Sequence, residues 1–202
     1  MGKVSRLQVV EVSGKPYDMG VQTGGKCASK AKMYRKAMAE SIEFYTGVSW
    51  KRAVEQSKLY LPYAKDFYPD FVEEIEGYSE GAGVPFQEVF TMCCHELMSS
   101  QGFKGCTDVV ASDDVTADGS VLVGHNEDWE ASCLPMVVLL HARPSKKPSF
   151  VCTSYAGLLP STGMNDKGIC LTGNALSPND NRVGIPKIFP VRKTFEARRI
   201  GE

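Results

Sequence analysis

A glycine–cysteine pair, Gly105-Cys106, lies near the middle of the chain after a polar, loop-like run at residues 99–104. A thiol is the best side-chain nucleophile at neutral pH when a neighbouring group accepts its proton. Cutting the bond before Cys106 would free an α-amine, and its usual pKa of about 8 lets it accept that proton. Glycine before the cysteine tolerates strained backbone and leaves its carbonyl unhindered. By itself the pair also fits an ordinary loop cysteine, but together with the polar pattern that follows it predicts a self-processing bond at Gly105 and a nucleophile at Cys106.

Polar side chains at two strand ends could assist this thiol. A β-type run at residues 121–123 ends in the polar cluster Gly124-His125-Asn126-Glu127-Asp128-Trp129. We expect Asp128 to hold the new ammonium group and Asn126 to donate an amide hydrogen bond, with His125 as a further supporting group. Asn174 follows another β-type run and could donate to an oxyanion, a contact whose removal typically costs roughly 3 kcal/mol of barrier.

Two other kinds of chemistry remain open for the same residues. A papain-like enzyme could use Cys106 with His125 or His141 and would need no cleavage. His125, Glu127 and Asp128 could imitate a metal site, but neighbouring strand residues point to opposite faces. No second histidine cluster completes such a site, so we expect no metal and no cofactor.

Two apolar segments near this cluster have mainly structural interpretations. We interpret Trp129 and the run 157–160 as core packing, with the wall of an acyl pocket as the alternative. The run 93–95, Cys-Cys-His, is interpreted as a helical segment that packs against the sheet.

Size, charge and cysteine usage bound the class of protein. The chain has 202 residues, a formal net charge of -1 and no cluster of basic residues, which argues against a nucleic-acid partner. No apolar run approaches the roughly 18 residues of a membrane span, and we expect a cytoplasmic protein. Seven cysteines without a C-x-x-C spacing indicate small buried residues in a reducing compartment.

Hydrophobic periodicity and turn signals divide the chain into a helical first half and a β-rich second half. We predict helices at 26–45, 50–66, 69–79, 86–97 and 185–199, and a turn at 15–20. Strands are predicted at 7–12, 108–111, 121–124, 136–141, 150–155 and 169–172, with tight turns at 117–120 and 165–168 that need a glycine at positive φ. Helices followed by an antiparallel-looking meander indicate an α+β fold.

The order of these motifs is recognisable. Gly-Cys-Thr, an Asp-Gly turn, a strand, an Asn-x-Asp cluster, the turn at 163–168 and a closing Asn-Ala-Leu at 174–176 follow one another, and a Glu-x-x-Gly helix end lies upstream at 74–84. This pattern resembles the acyl-coenzyme A:6-aminopenicillanic acid acyltransferase family, which comprises autoproteolytic acyltransferases and hydrolases of the N-terminal-nucleophile superfamily.

The resemblance implies an αββα sandwich, cleavage between Gly105 and Cys106, and Cys106 as nucleophile. Asp128 matches the aspartate of the Asn-x-Asp motif, and Asn174 matches an oxyanion asparagine of the related bile-salt and penicillin amidases. His125 stands roughly where those amidases have an arginine. The implied reaction is hydrolysis or acyl transfer at a non-peptide C–N bond through a thioester on Cys106. A small acyl amide or acyl donor would be the substrate, and a coenzyme A thioester is one such donor.

The same resemblance bears on domain organisation. We expect one N-terminal-nucleophile domain over 1–202, with a helical segment at 1–105 and the start of a β segment at 106–202. Family members run longer, so we expect a fragment or a shortened variant whose sandwich is incomplete at the C-terminus. The processed segments would form a heterodimer or self-associate. The alternative is an unprocessed, non-catalytic relative that acts as an association partner and exposes apolar faces.

Overall fold

The computed structural model describes residues 7–97, 105–159, 162–174 and 182–201. It contains helices and sheets in separate parts of the chain, so the α+β class is confirmed. Two 3-10 turns, His95–Leu97 and Ala131–Met136, supplement the regular elements. In chain order those elements are β1 (Gln8–Gly14), α1 (Pro16–Thr46), α2 (Trp50–Ser57), α3 (Leu61–Phe67), α4 (Pro69–Ala82), α5 (Phe86–Cys93), β2 (Thr107–Ala111), β3 (Leu122–Asn126), β4 (Val137–Pro144), β5 (Phe150–Tyr155), β6 (Thr162–Asn165), β7 (Cys170–Leu171) and α6 (Ile188–Thr194).

The strands form a mixed sheet of order β1-β4-β5-β6-β7 and a separate antiparallel pair, β2–β3. The pairs from β4 to β7 are antiparallel, as the sequence predicts. β1 instead pairs with β4 in parallel. Parallel neighbours need a long crossover, and helices α1 to α5 and the β2–β3 pair lie within it. The antiparallel prediction covered only the strands after Cys106, so the parallel pairing of β1 lies outside it. Strand β6 was not predicted.

Helices cover one face of the five-stranded sheet. Alternate residues such as Val10, Val138 and Leu140 are buried against Met19 of α1. On the opposite face Val9 is 58% exposed. One helical layer, one sheet and the small β2–β3 pair are present in the described residues. The four-layer αββα sandwich remains a prediction.

Helix α1 begins ten residues before the predicted start. Pro16 lies in its first turn, where a missing N–H costs nothing, and the predicted turn at 15–20 is wrong. The helix ends at Gly47, which has φ 68° and donates its N–H to the carbonyl of Glu43 at 2.9 Å. Pro16 and Gly20 made residues 15–20 resemble a turn, but contacts with α4 stabilise the segment as a helix.

Four glycines let α1 and α4 approach until their backbones touch. A Cβ on Gly20 would lie 2.0 Å from the carbonyl oxygen of Glu74, and one on Gly24 would lie 2.3 Å from that of Tyr78. In α4, a Cβ on Gly77 would lie 2.1 Å from the nearest carbonyl oxygen of α1, and one on Gly81 would lie 2.2 Å from another. Real side chains do not fit such gaps, so only glycine permits this packing.

The remaining helices differ from prediction mainly at their ends. The predicted helix at 50–66 is two helices, because the chain turns after Ser57 and α3 restarts with Pro62 in its first turn. Helix α5 ends at Cys93, before the predicted limit, and α6 covers only the centre of 185–199. Helix α4 begins at Pro69 as predicted. Among the helices of the described ranges, none has the length and apolarity that crossing a membrane requires.

A buried arginine joins α6 to the helical layer and the sheet. Arg192 is 1% exposed, and its guanidinium lies 4.8 Å from the ring centre of Phe71 and 4.4 Å from that of Phe150. Its Nη2 donates to the carboxylate of Glu74 at 3.4 Å. Burial raises the pKa of Glu74, and the charge of Arg192 opposes that shift.

Adjacent glycines of α1 offer a matched test of this packing. Gly24→Ala should destabilise the fold by about 1–3 kcal/mol or more, because its methyl group would overlap the backbone of α4. Gly25→Ala should be neutral or stabilising by up to about 1 kcal/mol, since its Cβ would lie 3.9 Å from the nearest atom and alanine favours helix. Urea denaturation measures both, and equal stabilities of the two variants would contradict the α1–α4 contact.

Candidate active site

A cavity of about 1060 Å³ lies between the β2–β3 pair and the face of the main sheet that the helices leave uncovered. Val123 and His125 line it from β3, and Leu139, Val151 and Met164 line it from the sheet. Helical residues close one side. Such a volume accommodates a small organic substrate.

Cys106 lies in the wall of this cavity, one residue before β2. Its side chain is half-buried, while Gly105 is exposed. A Cβ built on Gly105 would meet no described atom within 4 Å. The residues immediately upstream, 98–104, are outside the described ranges.

The pairing of β2 with β3 brings an acid and an imidazole together. Asp108 is the register partner of His125, and its Oδ1 lies 2.6 Å from His125 Nδ1. Glu127 follows two residues after His125, and its Oε2 lies 3.0 Å from the Nε2 of that ring. A sulfur, a ring nitrogen and a carboxylate oxygen from Cys106, His125 and Glu127 all lie within 4.8 Å of one another.

Asn174 extends this network from the end of β7. Its Nδ2 donates to Asp108 Oδ2 at 2.8 Å, so both carboxylate oxygens of Asp108 are engaged. The carboxylate is thereby fixed on the Nδ1 side of His125. One amide hydrogen of Asn174 is used in this way, and its role as an oxyanion donor remains a prediction.

The two carboxylates favour the protonated form of His125. Burial lowers the pKa of this ring, but hydrogen bonds to Asp108 and Glu127 and the charges of both acids outweigh burial, so its pKa is raised. Both nitrogens of an imidazolium can donate, one to each acid. A proton taken from Cys106 would therefore be well stabilised on His125.

The other predicted site residues occupy different positions. Asp128 is exposed and lines the cavity next to Glu127. Asn126 pairs with Thr107 and follows His125 in an extended strand, so it points away from the cluster. His141 lies in β4, with its Nδ1 3.3 Å from an oxygen of Glu11 in the neighbouring strand. Of the two histidines considered for a papain-like site, His125 is the one beside Cys106.

Aromatic side chains form a second wall of the cavity. Tyr34 stacks on Tyr155 with ring centres 5.8 Å apart, and Trp129 lies 5.9 Å from Tyr155. His95 stacks on Trp129 at 5.8 Å. Burial, and then the charge of Lys187, lowers the pKa of His95 to about 4, which keeps it neutral near pH 7.

The structural interpretation of these apolar segments was incomplete. Trp129 lines the cavity, as do the buried Leu158 and Leu159, so they form a pocket wall as well as core. Pro160, the end of that run, lies outside the described residues. Cys93 and His95 also reach the cavity, although the segment was expected only to pack.

Sequence reasoning missed Asp108 as a site residue and dismissed Glu127. Two signals could have found them. Residues 125 and 127 alternate on one face of a strand, so their side chains converge. Pairing the run 108–111 with 121–124 as a hairpin would also have placed an acid opposite the histidine.

Comparison with known proteins gives two matches. Residues 115–202 match the family model described as acyl-coenzyme A:6-aminopenicillanic acid acyl-transferase. A beta-alanyl-dopamine/carcinine hydrolase of Drosophila melanogaster is 25% identical over 97% of this chain. The chain spans 56% of the length of that relative. The resemblance predicted from the sequence is thus confirmed by the match of residues 115–202 to this family model.

Proposed function

We propose that the chain is cut by its own Cys106 thiol and then acts as a cysteine amide hydrolase or acyltransferase. The single observation that supports this most is the position of the thiol. Cys106 lies in a cavity wall beside an imidazole that Asp108 and Asn174 hold in place. The family match and the hydrolase relative support the same reaction class.

Self-cleavage needs a base before any free α-amine exists, and we propose His125 for that role. The imidazole takes the thiol proton at Nε2 while Nδ1–H donates to Asp108. The thiolate attacks the carbonyl carbon of Gly105, the C–N bond to Cys106 breaks, and the nitrogen takes up a proton. A thioester joins Gly105 to Cys106 until water hydrolyses it. The products are a carboxylate on Gly105 and a free amine on Cys106.

The same thiol then serves in turnover. It attacks the carbonyl carbon of an amide substrate, the amine leaves with a proton, and the acyl group remains on Cys106 as a thioester. Water completes hydrolysis, and a second amine completes transfer. Asp128, which lines the cavity, is proposed to hold the α-ammonium group of Cys106. A coenzyme A thioester could supply the acyl group, with its thiol as leaving group.

The cavity chemistry suits a small amide that contains a ring and a positive charge. Tyr34, Trp129 and Tyr155 offer flat aromatic surfaces, and Glu127 and Asp128 add carboxylates to the same wall. The Drosophila relative is named as a hydrolase of beta-alanyl-dopamine and carcinine. We propose an acyl amide of an amine as the substrate class, without a nucleic-acid or membrane partner.

One observation favours a second candidate, a cysteine hydrolase that is never cut. Cys106, His125 and Asp108 already have the order of a nucleophile, base and orienting acid. Such a triad can transfer acyl groups without a free α-amine. An intact, thiol-reactive protein would support this candidate.

Exposed apolar side chains on the β2–β3 pair favour the non-catalytic alternative. Val109 and Val110 are 64% and 65% exposed, and Leu122 is 58% exposed. A surface of this kind promotes association. An intact chain with an unreactive Cys106 that forms oligomers would support an association partner.

Processing can be tested by intact mass spectrometry of freshly purified protein. We expect the wild-type chain to give two pieces, residues 1–105 and 106–202. Cys106→Ala should remain one chain of 22.1 kDa, because it lacks the attacking sulfur. Cys170→Ala, which removes another thiol of the cavity wall, should be cut like the wild type. An uncut wild-type protein would exclude self-cleavage.

The base role of His125 predicts a specific effect of Asp108→Asn. Losing the carboxylate should lower the pKa of His125 and slow alkylation of Cys106 by about a hundredfold or more. An NMR pH titration of the ring measures the first effect, and signals of the distant His141 should be the same in both proteins. An unchanged His125 titration would contradict the proposed coupling.

The raised pKa of His125 in the wild-type protein predicts a pH dependence of its stability. Because the pKa of His125 is raised in the folded state, its ion pairs stabilise the fold fully below the unfolded pKa of about 6.5. This contribution is lost as the pH rises through the folded pKa. The wild-type protein should therefore lose more stability than Asp108→Asn across that window, as urea unfolding at several pH values would measure.

A further inference from the structure

We propose that Cys106, His125 and Glu127 bind a thiophilic divalent cation, with zinc as the ion that fits best, and that this ion blocks the thiol. The sequence alone led us to expect no metal here. In the fold, the thiol of Cys106, which lies outside β3, comes close to His125 in β3 and to Glu127 just after it.

The donor distances suit a small metal ion. In a tetrahedral zinc site, bonds of about 2.0–2.3 Å place neighbouring donor atoms about 3.3–3.6 Å apart. His125 Nε2 and Glu127 Oε2 are 3.0 Å apart, and none of the three donor atoms is more than 4.8 Å from the others. Cys106 is only half-buried and Glu127 is exposed, so tight packing does not fix either side chain in place.

A second shell for the histidine is already present. Metal-bound histidines commonly donate the other ring N–H to a carboxylate, which fixes the ring and increases its basicity. Asp108 accepts from Nδ1 at 2.6 Å and is itself held by Asn174 at 2.8 Å. Nε2, which lies 3.0 Å from Glu127 Oε2, is thereby left to bind the metal.

Binding has a direct chemical consequence for the nucleophile. The thiol proton goes to solvent, and the sulfur lone pair that would attack a carbonyl forms the bond to the metal. Because Cys106, His125 and Glu127 all line the cavity, water from it would take the fourth coordination position. Only side chains are involved, so the site does not depend on cleavage of the chain.

Cobalt(II) and zinc(II) titrations of the full chain test the site. Cobalt should bind one to one and produce thiolate-to-metal charge-transfer absorption, and zinc should displace it. Cys106→Ser should abolish this absorption. Asp108→Asn should weaken zinc binding by about ten- to a hundredfold, because it removes the second-shell partner of the histidine.

Matched variants separate this site from adventitious binding. Cys170→Ser and His141→Gln remove a thiol and an imidazole outside the cluster and should leave the titration unchanged. Zinc should also protect Cys106 from alkylation in the wild-type protein, whether or not it has been cut. Cobalt absorption that survives Cys106→Ser or is lost in Cys170→Ser would overturn the proposal. So would the absence of one-to-one binding in a folded wild-type protein.

Discussion

Direct contact between the backbones of α1 and α4 is the constraint on which the rest of the fold depends. Gly20 and Gly24 lie against α4, and Gly77 and Gly81 lie against α1, with no room for a side chain at any of them. This contact makes the two helices one thin layer. The sheet packs on that layer through Met19 and its neighbours, and its other face remains free to border the cavity.

The same contact explains what sequence reasoning could and could not foresee. Amphipathic spacing predicted the second half of α1, and proline in a first turn predicted the start of α4. Glycine, however, is a poor helix former in isolation. Residues 15–20 were therefore predicted as a turn and the helix only from residue 26, because the energy that makes the start of α1 helical comes from α4, which follows much later in the chain. The parallel pairing of β1 was missed for a related reason, since no local signal specifies it.

The candidate site shows the corresponding limit for chemistry. Cys106 and its preceding glycine were predicted from residue type and neighbourhood alone. Asp108 looked like an ordinary strand residue, because its contact with the site depends on its pairing with His125 in the β2–β3 register. Asn174 was noticed for an oxyanion role, yet its amide contacts Asp108. Residue types indicate candidates, whereas strand pairing decides which of them meet.

The parallel pairing of β1 with β4 bears on when, relative to synthesis and folding, the proposed cleavage could occur. β1 precedes the bond before Cys106, and β4 follows it, so seven register pairs connect the two sides without that bond. If the bond broke while the chain was still being synthesised, β1 and its helices would diffuse away before β4 had been made. Under the proposed self-cleavage, productive cutting would have to wait for Pro144 to leave the ribosome and for β4 to join the sheet. The proposed break would then be a late event, after which the sheet and contacts such as that of Arg192 with Glu74 keep the two pieces together.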